Sequence, residues 1–284
     1  MKPLDRLSLG WRTELIFARF DAEVIARPDC LVVRTAHNPT FWWGNFLLFD
    51  HAPAPGEAAH WLASFEAEIS CRQPDSRHIA FGVDTDEPFE LPGELLRVGF
   101  NRHAGTVLTM QRDAFRPPPV ALESGFRIAA LDLPAQAGAA VEQQVAADAG
   151  QHQPVASYRV FRERQMQRYA AMQRAGLGHW FGVFALTVQG EQLVADCGLF
   201  RDGTGAQALG RFQFVSTHPA WRRRGLCRAL IHAVCRYGFD VMNLRALVIV
   251  ADPDDVAIGL YESLGFRRGA TTWQLERRPD AARR

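Results

Sequence analysis

Residues 212–238 read FQFVSTHPAWRRRGLCRALIHAVCRYG: an apolar strand, a turn dense in arginine and glycine, and an amphipathic helix. The aromatic and β-branched residues of 212–217 favour a strand. Pro219 stops the ladder from continuing past it. Beyond the turn, Leu226, Leu230, Ala233, Val234 and Tyr237 recur at helical spacing, Arg228, His232 and Arg236 take the opposite face, and Gly238 suits a C-terminal cap. Arg222, Arg223, Arg224 and Gly225 therefore sit at a helix N-terminus. Unpaired backbone N–H groups and the positive end of the helix dipole attract anions there, and glycine lets a diphosphate approach the main chain closely.

The six residues Arg222-Arg223-Arg224-Gly225-Leu226-Cys227 resemble the R/QxxGxG/A signature of the GNAT superfamily of acyl-CoA-dependent N-acyltransferases, with Cys227 where glycine or alanine is usual. Asp254, Ala257, Leu260-Tyr261-Glu262 and Gly265-Phe266 resemble that superfamily's second coenzyme motif, NxxAxxLYExxGF, with Asp254 in place of asparagine. An amide both donates and accepts hydrogen bonds, whereas a carboxylate only accepts. The resemblance implies an α/β fold with a mixed sheet flanked by helices and acetyl-CoA as co-substrate. It implies coenzyme contacts through Val215, Thr217, Arg222 to Cys227 and Asp254, and assigns Tyr261 the proton that the departing thiolate takes up.

The chain has 284 residues, which suits two domains. A hydrophobic content of 48% and a charged content of 22% are globular values. With 32 basic and 31 acidic residues the net charge is +1, so nothing global draws the protein to nucleic acid or to an anionic membrane. The five cysteines are odd in number and lack metal-ligand spacing. No N-terminal apolar run reads as a signal peptide or membrane span, and a reducing, cytoplasmic setting is the expectation.

In chain order, 7–20 reads as a helix, 22–26, 30–35 and 41–49 as strands, 58–69 as a helix, 78–83 as a strand, 93–98 as a short helix and 106–110 as a strand. The second half reads as strand 126–131, helices 134–148 and 158–174, and strands 179–186, 191–200 and 210–217. After the arginine-rich helix come strand 245–251, helix 254–264 and a last strand at 271–275. An offset of 166 carries Phe46 onto Phe212, Pro53 onto Pro219, His78 onto Leu244 and Gly99-Phe100 onto Gly265-Phe266. The first half is therefore expected to be a truncated, degenerate copy of the second. Its counterpart of the arginine-rich loop is Gly56-Glu57-Ala58-Ala59-His60-Trp61, with an acid and an indole where a phosphate would need charge and room. Arg116-Pro117-Pro118-Pro119 reads as a stiff linker, giving domains 1–117 and 118–284.

Acyl transfer to an amine needs a bound thioester, a neutral amine, donors for the developing oxyanion and an acid for the leaving thiolate. The general base is not readable: Asp196, Ser216, His218, Asp252 and Asp254 are candidates to hold a water, and each also suits a turn, cap or solvated position. Cys227 at a helix N-terminus raises the question of a thiolate nucleophile, but no histidine partner is recognisable. The expected reaction is acetyl transfer from acetyl-CoA to a primary amine of a small molecule or peptide, with no metal. The rival reading is a non-catalytic coenzyme-A-binding or scaffolding protein of the same fold. Two copies in one chain do internally what a dimer does across an interface, which favours a monomer and leaves a dimer open.

Overall fold

The computed structural model describes residues 2–116, 122–148, 155–203, 205 and 207–279. The first copy runs α1 (Leu9–Asp21), β1 (Glu23–Ala26), β2 (Cys30–Arg34), β3 (Asn45–Phe49), α2 (Ala58–Phe65), β4 (Ile79–Val83), α3 (Gly93–Arg97) and β5 (Asn101–Gln111). The second runs β6 (Phe126–Ala130), α4 (Ala137–Asp148), α5 (Val155–Arg174), β7 (Gly178–Thr187), β8 (Gly190–Arg201), β9 (Leu209–Thr217), α6 (Leu226–Asp240), β10 (Ala246–Ala251), α7 (Ala257–Leu264) and β11 (Arg267–Arg277). The offset of 166 superposes the ends of β5 on those of β11, since 101 + 166 = 267 and 111 + 166 = 277. Both copies place a parallel strand pair, β3 with β4 and β9 with β10, after an antiparallel meander. The chain is thus an α/β protein of two tandem copies, the first lacking the counterparts of β6 and of one of the two helices that follow it.

The compact units do not coincide with linear halves. Unit 1 is Met1–Val107, Ala251–Pro253 and Gly269–Arg284; unit 2 is Leu108–Val250 and Asp254–Arg268. In unit 1 the end of the chain returns as β11, which pairs antiparallel with β4 from Trp273↔Val83 to Arg277↔Ile79. The proline run, the 150–154 loop and the last residues of the tail lie outside the described residues.

In unit 1, Val32, Leu47, Phe49, Phe81 and Val83 bury one side of the sheet against Trp61 and Phe65 of α2 and Leu95 of α3. Alternate residues Leu31, Val33, Phe46, Leu48 and Ala80 bury the other side against Trp11 and Leu15 of α1. Burial on both faces explains why β4, and β3 after Asn45, carry no polar side chain. The expected strand 41–49 begins only at Asn45. Before it a 3₁₀ turn forms, because buried Asn45 Nδ2 donates to the Phe41 carbonyl at 2.8 Å and Thr35 Oγ1 to that of Gly44 at 2.8 Å.

In unit 2 the order β6-β7-β8-β9-β10 carries helices on both faces. Tyr169 of α5 stacks on Trp180 and Phe200 at ring-centroid distances of 4.7 and 5.3 Å. The next-door residue Leu199 points to the opposite face, where α6 packs. Gly238, read above as a cap, instead lies inside α6, which continues to Asp240. A Cβ there would stand 3.0 Å from both Leu199 Cδ2 and Leu247 Cδ2, so this glycine serves the close approach of helix to sheet. Helix α7 starts at Ala257 and not at Asp254, because Asp255 Oδ1 accepts the Ala257 N–H at 2.8 Å. Among the described residues no helix is long and apolar enough to cross a membrane.

The exchange of β11 has a measurable consequence. A fragment from Val120 to Arg284 keeps β11 but deletes β4, leaving an unpaired strand edge with Leu275 uncovered. It is expected to aggregate or to lack cooperative unfolding, whereas the whole chain unfolds cooperatively; circular dichroism melts and size-exclusion profiles of the two read the outcome.

Candidate active site

The site is built by a failure of pairing. Strands β9 and β10 are in register only from Leu209↔Ala246 to Arg211↔Val248, although β9 continues to Thr217. On its other side β9 stays paired with β8, through Phe212↔Leu199 and Gln213↔Gly198, then Ser216↔Asp196 and Thr217↔Ala195. Phe214 and Val215 thus oppose the single residue Cys197, a β-bulge, and Phe214 takes the positive φ of 42°. The bulge turns the end of β9, and half-buried Val215 and Thr217 sit on this diverging segment.

The loop that follows is arranged around two left-handed residues, Arg223 at φ 63° and Gly225 at φ 74°. Such positions turn consecutive N–H groups toward one concavity at the start of α6. The three arginines, equivalent in the sequence, have different roles. Arg222 Nε donates to the Thr217 carbonyl at 3.1 Å and its Nη2 to that of Ala147 at 3.0 Å, bracing the loop against β9 and α4. Arg224 pairs with Glu123 at 2.9 Å and lies over the rings of Phe126 and Trp221. Exposed Arg223 makes no ion pair or hydrogen bond with the described residues. Leu226 is buried and Gly225 exposed, with open space where its Cβ would be.

Burial pushes the Cys227 thiol up to about 12, with the nearby Asp255 charge acting in the same direction. A thiol so held stays protonated, which counts against the thiolate-nucleophile reading. Tyr261, on α7, is buried beside Cys227 and Cys197, and desolvation raises its pKa well above that of a free phenol. It is held as the neutral phenol. Asp254 is exposed in the turn before α7.

Of the five base candidates the structure brings two together. Ser216 Oγ donates to Asp196 Oδ1 at 2.5 Å, and Asp196 Oδ2 accepts from Gln144 Nε2 at 2.8 Å and Trp180 Nε1 at 2.9 Å. Asp196 is fully buried; desolvation raises its pKa to about 6, against the pull of these three donors and of the Arg162 charge. His218 Nδ1 accepts the Ala220 N–H at 3.2 Å and so caps the turn at Pro219–Trp221. Asp252 belongs to unit 1. Gln143 and Gln144, which complete the network from α4, do not stand out in the sequence. Their only signal is that two neighbouring polar residues on a helix are both buried.

In unit 1 the equivalent place is closed. Pairing of β3 with β4 continues to Phe49↔Val83, and the Asp84 N–H extends it to the Phe49 carbonyl at 2.8 Å. Trp61, at the position equivalent to Cys227, stacks on Phe49 with ring centroids 3.7 Å apart and planes at 5°. The Gly56 N–H donates to Glu94, and that of Ala54 to Glu57, so carboxylates already occupy main-chain donors beside α2.

The acetyltransferase (GNAT) family matches residues 148–266. These residues form a GNAT-family domain. No curated protein matches the chain significantly in sequence. Among solved structures, a functionally unknown conserved protein from Staphylococcus epidermidis ATCC 12228 shares 14% identity with a TM-score of 0.70, over 91% of this chain and 94% of its own. A GCN5-related N-acetyltransferase from Kribbella flavida shares 16% identity with a TM-score of 0.60, over 92% and 90%. A tandem GNAT protein from the clavulanic acid biosynthesis pathway shares 15% with a TM-score of 0.57, over 97% and 93%. At these identities the likeness is one of fold.

The buried carboxyl of Asp196 makes stability pH-dependent. Its folded pKa of about 6 lies above the unfolded value of 3.8, so the folded GNAT domain holds a proton that the unfolded chain releases first. The stability this proton contributes is fully present below about pH 4 and is lost as pH rises through about 6, a loss of up to about 3 kcal/mol. Urea unfolding between pH 4 and 7 should show the intact protein losing stability relative to Asp196→Asn over this window. A constant difference would place the carboxyl outside the core.

Proposed function

We propose that the C-terminal copy binds acetyl-CoA and transfers its acetyl group to a primary amine, while the N-terminal copy binds no coenzyme. The observation that carries this reading is the divergence of β9 from β10 directly before a loop with two left-handed residues, Arg223 and Gly225, at the start of α6. In the proposed complex the diphosphate lies on the main chain of residues 223–227 and beside Arg223, the arginine with no partner among the described residues. Main-chain groups at Val215 and Thr217 hold the pantetheine and polarise the thioester carbonyl. Arg222 and Arg224 keep the loop in shape through the contacts described above. The coenzyme supplies the activated acetyl group.

The residues then divide the proton work. The amine nitrogen forms a bond to the acetyl carbon as the carbon–sulfur bond breaks. The proton that the nitrogen loses passes toward Ser216 and the Asp196 carboxylate, whose raised pKa makes it a better acceptor than an exposed aspartate. The Tyr261 phenol, kept protonated by burial, gives its proton to the sulfur. A chain that binds the coenzyme without turnover is the competing reading, and the departures at Cys227 and Asp254 favour it.

Isothermal titration with acetyl-CoA is expected to give one site per chain. Gly225→Trp, which puts a bulky residue at φ 74°, and Arg223→Glu should each weaken binding about tenfold or more. Two equivalent sites per chain, or full affinity in both variants, would overturn the assignment. Tyr261→Phe keeps the ring and removes the proton donor. Turnover with any accepted amine should fall about 10²-fold while the acetyl-CoA Kd changes by less than about threefold. A chain that binds acetyl-CoA but neither acetylates an amine nor hydrolyses the thioester would support the non-catalytic reading.

A further inference from the structure

One buried cation has hydrogen-bonding capacity that the described residues leave unused. Arg162, on α5, is only 9% exposed and places its guanidinium carbon 3.5 Å from the centroid of the Phe214 ring, the residue that forms the bulge in β9. Its Nε donates to the Tyr158 hydroxyl at 2.8 Å. A guanidinium carries five N–H donors, so four remain on the two terminal nitrogens. Among the described residues none of these four meets an acceptor. The guanidinium is held over the Phe214 ring, and its terminal nitrogens keep their donors available to a ligand.

A second orphan lies on the same part of the domain. Gln143 is 3% exposed and donates through Nε2 to Ser216 Oγ at 3.2 Å, but its carbonyl oxygen Oε1 is buried without a hydrogen-bond partner among the described residues. Ser216 in turn donates to Asp196, and the Asp196 carboxyl lies within electrostatic reach of Arg162. An unused planar fork of cationic donors and an unused neutral acceptor thus accompany the pair assigned to take the amine's proton.

We infer that the acceptor is an amine that also bears a carboxylate, an amino acid, whose carboxylate is held by Arg162 and whose amine N–H is received by Gln143 beside Ser216. This rests on the acetyl-transfer reading for the reaction but not for the recognition. A carboxylate is the planar, singly charged partner that the two terminal nitrogens of a guanidinium bind bidentately. The amine needs an acceptor to orient it as a neutral nucleophile, which a carbonyl oxygen supplies without adding charge. Removing the carboxylate from the acceptor would leave Arg162 unsatisfied, the situation in which a site discriminates most strongly. Arg162 acts here as a specificity residue that touches substrate; Phe214 and Tyr158 position it.

The test uses the full chain with common L-amino acids, β-alanine and 4-aminobutyrate, each paired with its carboxamide, and acetyl-CoA as donor. At least one carboxylate-bearing amine should have a kcat/KM about tenfold or more above that of its amide. In Arg162→Gln the ratio should fall to near one. In Arg162→Lys, which keeps the charge but not the fork, it should fall partway. The acetyl-CoA Kd should stay within about threefold in both variants, a split that a merely structural role for Arg162 would not produce. Calorimetric titration of the same amino acids and amides into protein saturated with coenzyme A gives a readout that needs no turnover. Equal use and equal binding of acids and amides, or a preference that survives Arg162→Gln, overturns the inference, as does the absence of both turnover and binding for every carboxylate-bearing amine. Amino acids that bind in an Arg162-dependent way to a protein that does not bind acetyl-CoA would leave this inference standing and remove the acetyl-transfer reading.

Discussion

Everything at the candidate site depends on β9 leaving its partner. A strand paired along its whole length uses its N–H and C=O groups on its neighbours and offers none to a ligand. Beyond Arg211 and Val248 the pairing with β10 ends, and the bulge at Phe214 inserts one extra residue against Cys197. The same insertion sets the register that puts Ser216 opposite Asp196 and brings the Phe214 ring under Arg162. One backbone irregularity therefore has three consequences: a main-chain face freed on one side, a buried carboxyl bonded to a serine on the other, and a cation held over an aromatic ring.

The first copy shows what the fold becomes without that irregularity. There β3 stays with β4 to its end, and the space is filled by a stack of Trp61 on Phe49 with Phe81 edge-on at 5.3 Å. The difference between the copies is a trade between packing and access. Aromatic rings bury large apolar areas and stabilise the sheet. In the second copy the equivalent residues are Val215 and Cys227, too small to close the gap. The GNAT domain also buries Asp196, whose desolvation opposes folding near neutral pH and is only partly offset by its three hydrogen bonds. Buried charge that costs stability and has an assigned chemical task is a common mark of a functional site.

Much of the fold was legible because it is local. The strand and helix of 212–238, the apolar runs of β3 and β4 and the Gly265 turn follow from side-chain spacing and from glycine's freedom at positive φ; Gly265 sits at 114° with a would-be Cβ 2.0 Å from the Ala114 carbonyl. The tandem repeat was legible as an offset, and the ends of β5 and β11 obey it to the residue. Misread positions were those where a side chain decides the backbone locally: Asn45 and Thr35 turn an apolar run into a 3₁₀ turn, and Asp255 rather than Asp254 sets the start of α7.

The sequence by itself determined the α/β class, the two copies, the arginine-rich loop at a helix start and the acid and indole that stand at the equivalent positions of the first copy, because each is written in residue type and spacing along the chain. Tertiary structure alone decided which compact unit receives β11, which of three adjacent arginines stays free of the described residues, and which of three candidate aspartates stands beside Ser216. Those outcomes rest on contacts between residues far apart in sequence, such as Ser216 with Asp196, Gln144 with Asp196 and Trp273 beside Val83. Strand register and burial set such contacts, and neither is encoded in any single stretch.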